Sequence, residues 1–166
     1  MKKYFLLIAT IIISNCINAQ VDSIASPSAR FRIFPPAKLL LADSTTFFTK
    51  EDLLKNKPIL LMVFNPDCDH CQHETEDLIS NIDKFKNIQI VMAAMAKHTE
   101  MKIFIEKYGL SKYNNITVGQ DVSFFLPPFF NIKNLPFLAF YNKKQNLIST
   151  FAGSMTMEKI LAELKK

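Results

Sequence analysis

The run Pro58-Ile59-Leu60-Leu61-Met62-Val63-Phe64 constrains this chain more than any other stretch, because it is apolar on both alternating faces. A strand of this kind is covered on both sides, which predicts a central strand in an α/β domain. Asn65-Pro66-Asp67 then interrupts the apolar run. Over residues 68–85, Leu78, Ile79, Ile82 and Phe85 fall on one helical face, while Glu74, Glu76, Asp77 and Asn81 are directed away from it. With 166 residues, 49% of them hydrophobic and only 3 Gly, the chain has material for one domain with a proper core.

The rest of the chain repeats the alternation. Residues 38–41 and 45–48 flank Ala42-Asp43-Ser44 as a hairpin, after which Thr49 caps a short helix through Asn56. Residues 88–94 read as a second buried strand. Thr99 caps a helix to Tyr108, and Gly109 ends it. A short strand follows at 116–118, then a hairpin of 136–141 and 147–151 around Asn142-Lys143-Lys144-Gln145-Asn146. Thr156 opens a last helix with Ile160, Leu161 and Leu164 inward.

The amino terminus bears on compartment. Lys2-Lys3, the apolar run 5–13 and the stretch Ser14-Asn15-Cys16-Ile17-Asn18-Ala19-Gln20 have the charge, apolar core and small-residue end of a secretory signal, cut after Ala19. Nine residues are too few for a membrane span, which needs about 20. Cys16 offers a rival reading as a lipidated first residue, the one route by which this reading gives the protein a membrane anchor. The reading divides the chain into a signal peptide at 1–19, a flexible leader at 20–37 and a folded domain at 38–166. The formal charge of +5 falls to +3 once Lys2 and Lys3 leave, since no Asp or Glu accompanies them. That charge is too small and too scattered in sequence for a nucleic-acid groove.

Removal of Cys16 leaves Cys68 and Cys71, three positions apart and unable to staple distant parts of a fold. In an oxidising compartment such a C-x-x-C pair cycles between dithiol and disulfide. Cys68 falls at or just before the first helical turn, where free N–H groups and the helix dipole stabilise a thiolate, so it is the expected nucleophile. Cys71, one turn along the same face, is placed to resolve the mixed disulfide. Between them, a protonated His70 favours a thiolate at Cys68, whereas ionised Asp69 and nearby Asp67 oppose it.

Residues 64–71, Phe-Asn-Pro-Asp-Cys-Asp-His-Cys, following a buried strand, together with Leu135-Pro136-Phe137 opening a late hairpin, resemble the thioredoxin-like superfamily, especially its exported TlpA/ResA-like members. The resemblance covers residues 38–166 and implies a central mixed β-sheet flanked by helices. It also implies that Pro136 is cis and lies against the cysteine pair, and that Leu135 offers its backbone to a substrate strand. The implied activity is thiol-disulfide exchange with cysteine-containing exported proteins, recharged by a thiol-disulfide electron donor or acceptor. No cofactor or resident metal is implied. Three departures stand out: Asp67 replaces the usual tryptophan, Met62 stands where thioredoxins keep a buried acid, and Asn65 replaces the threonine of the peroxiredoxin branch.

Two other functions compete. Cys68 and Cys71, with His73 or His98, could hold copper(I) or zinc, although two thiolates are few for a site that normally takes four ligands. A redox-inactive interaction module would instead use the aromatic stretch Phe124-Phe125-Leu126-Pro127-Pro128-Phe129-Phe130, whose plainer reading is core packing around a proline-broken turn. Lys97-His98 should reach the same sheet edge as the cysteines.

Overall fold

The computed structural model describes residues 26–166, and the signal peptide and cleavage site expected above lie outside them. Among the described residues seven strands form one mixed sheet. The apolar run becomes β3 (Ile59–Phe64), with all six residues buried. It pairs in parallel with β4 (Gln89–Ala94), which pairs in parallel with β5 (Ile116–Asp121). On its other side β3 meets β6 (Phe137–Tyr141) antiparallel, and β6 turns back into β7 (Leu147–Ala152). The hairpin of β1 (Leu39–Leu41) and β2 (Phe47–Phe48) completes the far edge through an antiparallel β1–β5 pair.

Alternation along β3 sends Leu60, Met62 and Phe64 into one core and Ile59, Leu61 and Val63 into the other. The first core lies under α2 (Asp69–Ser80), α3 (His98–Tyr108) and α5 (Met157–Glu163), which contribute Leu78, Phe104 and Ile160. The second is closed by α4 (Leu126–Phe130) and by the chain that precedes β1. Because β3, β4 and β5 are parallel, their carboxyl ends meet at one edge of the sheet, where ligand sites of open α/β sheets form.

Several expectations change. Part of the expected flexible leader is docked: Phe34 and Ala37 are buried, and Phe34 packs its ring 5.2 Å from Tyr141. Leu147 N–H donates to the Arg32 carbonyl, the Arg32 guanidinium donates to the Leu147 and Ile148 carbonyls, and a short helix, α1 (Pro27–Arg30), precedes this contact. These backbone partners come from β7, so no local periodicity announces them. The helix expected after Thr49 is a single 3-10 turn (Lys50–Asp52), capped by reciprocal Thr49 and Asp52 contacts. It stops there because Leu53 turns into the core and the Leu54 N–H is taken by the Gln89 side chain.

The long helix ends at Ser80, and Ile82–Phe85 forms a separate 3-10 turn. The α3 cap is Lys97 rather than Thr99, its N–H bonded to Glu100. Gly109, at φ +60°, ends α3 in the left-handed region. Within residues 124–130, Leu126–Phe130 form the short α4 with Leu126, Phe129 and Phe130 buried, which fits the core-packing reading there, while Phe124 stays exposed. Among the described residues no helix is long and apolar enough to cross a membrane.

Candidate functional site

Asn65 builds the turn from β3 to α2. Its Oδ1 accepts the Asp67 N–H at 2.9 Å, its carbonyl accepts the Cys68 N–H at 3.1 Å, and its Nδ2 reaches the Met95 carbonyl after β4 at 3.3 Å. The turn leaves Cys68 as the N-cap of α2, in extended conformation, and the Cys71 N–H donates to Cys68 Sγ at 3.4 Å. A thiol here serves as a capping residue, so the same N–H that closes the helix also faces the Cys68 sulfur and favours negative charge there.

The two cysteines are free thiols in unlike surroundings. Cys68 is partly exposed, while Cys71 is fully buried. Burial, the hydrogen bond with Cys68 and the charges of Cys68 and Glu74 push the Cys71 thiol well above the usual thiol range, against a lowering contact from the Asn65 backbone. Across from the pair, the Leu135-Pro136 peptide is cis, and Cys68 Sγ lies 3.9 Å from the Leu135 carbonyl oxygen. Pro136 is buried and Leu135 half-buried, packed against both cores.

Asp67, Asp69 and His70 are exposed around the helix start. The His70 carbonyl accepts the Ser154 hydroxyl at 3.4 Å. His73 is exposed, and His98 Nε2 is committed to the Leu41 carbonyl at 2.8 Å. Among the described residues no three His, Cys, Asp or Glu side chains cluster as a metal site.

The structure adds one residue that the sequence reading directed to solvent. Glu74 is 3% exposed, with Oε2 accepting the Met155 N–H at 3.0 Å and Oε1 without a partner. Burial holds its carboxyl up at about 7, against the lowering hydrogen bonds of Met155 and Ser154. Its position was readable: Cys71, Thr75, Leu78 and Ile82 form a stripe at helical spacing, and position 74 belongs to it. Met62 is fully buried in the same core as Cys71, so the buried acid of this site comes from the helix and not from the strand.

A sheet of this topology, with a dithiol at the strand-to-helix junction and a cis proline opposite, defines a thioredoxin-like thiol-disulfide oxidoreductase. The model of the AhpC/TSA family matches residues 32–155, and the chain belongs to that family. Solved structures agree in fold. DsbF of Mycobacterium tuberculosis is 21% identical with a TM-score of 0.66, covering 78% of this chain and 93% of its own. A secreted M. tuberculosis disulfide oxidoreductase homologous to E. coli DsbE is 19% identical, with a TM-score of 0.64 and coverage of 78% and 95%. StoA of Bacillus subtilis is 17% identical, with a TM-score of 0.56 and coverage of 78% and 97%. A search of curated proteins finds no match.

Proposed function

We propose that this oxidoreductase works outside the cytoplasm, exchanging disulfides with cysteines of other exported proteins through Cys68 and Cys71. The observation that carries the reading is the asymmetry of the pair: a reachable sulfur at a helix end, backed by a buried one beside a buried carboxyl. Export is supported by the signal-like residues 1–20 and by a lone C-x-x-C pair suited to an oxidising compartment.

In the reductive direction the Cys68 thiolate attacks one sulfur of a substrate disulfide. A Cys68–substrate bond forms, the substrate S–S bond breaks, and the other substrate sulfur leaves as a thiolate. The Leu135 carbonyl, beside Cys68 Sγ, accepts a backbone N–H of the substrate strand, while Pro136 closes the floor of that groove. Cys71 then yields its proton to Glu74, whose carboxyl near pH 7 is held in both forms. The Cys71 thiolate attacks Cys68 Sγ, the substrate leaves with both sulfurs reduced, and a Cys68–Cys71 disulfide remains. An external dithiol returns the pair to its starting state, and every step runs in reverse for oxidation. Asp67, Asp69 and His70 set the field around the attacking sulfur.

The test is the second cysteine. Cys71→Ser keeps the attacking sulfur but loses the resolving one, so the exported variant should accumulate reducible mixed-disulfide adducts, whereas Cys68→Ser should carry few. Absence of adducts in Cys71→Ser, with tight copper(I) binding by the parent through both thiolates, would replace the exchange reading with the metal-binding one.

A further inference from the structure

The end of the sheet opposite Cys68 collects lysines from four separate stretches of chain. A hollow of about 590 Å³ beneath the amino ends of β3 and β4 is lined by Lys57, Lys84, Lys143 and Lys165. A second, of about 400 Å³, adjoins it through Pro58, Lys143, Leu164 and Lys165 and adds Lys144 and Lys166. No Asp or Glu lines either hollow. Glu158 reaches Lys84 at 3.8 Å and Glu163 pairs with Lys166, which among the described residues leaves Lys57, Lys143, Lys144 and Lys165 without an ion-pair partner. The chain entering the domain passes the same corner, because Ile33 bridges to Asn146 in the lysine-bearing turn. There Phe31 and Ile33 are about half exposed, at 54% and 49%.

We infer that this pole is a docking face for an anionic phospholipid bilayer. Lysine is a compact, hydrated charge on a long apolar stem, suited to a diffuse negative surface, whereas tight recognition of carboxylate or nucleic-acid phosphate favours the bidentate arginine fork. The chain has two arginines, and Arg32 is committed to the β7 backbone. Each lysine near an anionic leaflet contributes about 1 kcal/mol, and half-buried Leu161 and the neighbouring exposed Ile33 give the face apolar surface to set against the headgroups. The six residues of β3 separate this pole from Cys68 by about 20 Å, so a docked molecule keeps its dithiol turned to the solvent.

The experiment uses the chain from Gln20 onward, which lacks the apolar run 5–13 and retains every described residue, and measures sedimentation with lipid vesicles. Vesicles with about 30% phosphatidylglycerol in phosphatidylcholine should bind it at least about tenfold better than pure phosphatidylcholine at about 50 mM salt, and about 0.5 M salt should release it. Changing Lys57, Lys143, Lys144 and Lys165 to Glu should weaken binding by about a hundredfold or more. A control with Lys38, Lys50, Lys102 and Lys112 changed to Glu has the same net charge and should stay within about threefold of the parent. Exchange activity on a small soluble disulfide should be unaltered in both variants, which reports that they fold. Equal loss in both variants would reduce the effect to net charge and overturn the proposal. Binding of polyglutamate with no binding of anionic vesicles would overturn it too, assigning the face to an acidic protein.

Discussion

Among the described residues two acids are buried, and they are held in opposite ways. Asp121, 1% exposed at the end of β5, has both carboxyl oxygens occupied: Oδ1 accepts the Phe125 N–H and the Ser123 hydroxyl, and Oδ2 accepts the Leu126 N–H at 2.8 Å. Glu74, 3% exposed behind Cys71, has one oxygen bonded and the other bare. A fully satisfied buried carboxyl fixes structure, here the start of α4. A half-satisfied one is a cost that the fold carries, and here it lies one helical turn from Cys71. On the proposed mechanism, the difference separates an acid that builds from an acid that takes the resolving proton.

The comparison breaks most visibly at Asp121. Asp121→Ala strands the Leu126 and Phe125 N–H groups at the start of α4 and should cost about 3 kcal/mol of unfolding free energy, read by urea denaturation. Glu74→Gln should do the reverse at neutral pH. The folded carboxyl titrates at about 7 and the unfolded one at 4.5, so between these values the folded state binds the extra proton and stability falls as pH rises. The loss should reach about 2 kcal/mol, discounted for residual solvation, and be complete above the folded value. A reduced Glu74→Gln protein should show a flatter profile from pH 5 to 8 and gain stability at pH 8. An unchanged slope would mean that Glu74 does not titrate in this range. Glu74→Gln should also slow release of the mixed disulfide by about tenfold at pH 7, with the first attack by Cys68 unchanged in stopped-flow thiol exchange. Equal slowing of both steps would remove Glu74 from the resolving step.

What the sequence disclosed follows the same division. The doubly apolar β3, the helix beginning at Cys68 and the second hairpin were legible because each depends on a local pattern, whereas the cis Leu135-Pro136 junction came only as an implication of the family resemblance. Glu74 was misdirected because its type was weighed above its helical position, although Leu78 and Thr75 share its stripe. The docking of residues 32–37 could not be read at all, since its partners, Tyr141, Leu147 and Ile148, lie more than a hundred residues away. The lysine pole was hidden for the same reason. Residues 57, 84, 143 and 165 are scattered along the chain, and only the sheet brings them together.

The smallest expected effect sharpens the contrast at the bonded side of Glu74. Ser154 is exposed two residues past β7, and its single hydroxyl proton either donates to the His70 carbonyl at 3.4 Å or turns to the Glu74 carboxyl, where it lowers the carboxyl's pKa. Ser154→Ala removes that restraint while Met155 keeps its N–H bond to Oε2. An exposed substitution of this size should change stability by no more than about 0.5 kcal/mol. Its signature is electrostatic: with one lowering contact gone and burial unchanged, the Glu74 carboxyl moves further up, and the pH dependence of mixed-disulfide resolution should move to higher pH with its plateau rate intact. A reduced plateau with no shift would instead mark Ser154 as a residue that positions the helix through His70, leaving the carboxyl to Met155 and burial alone.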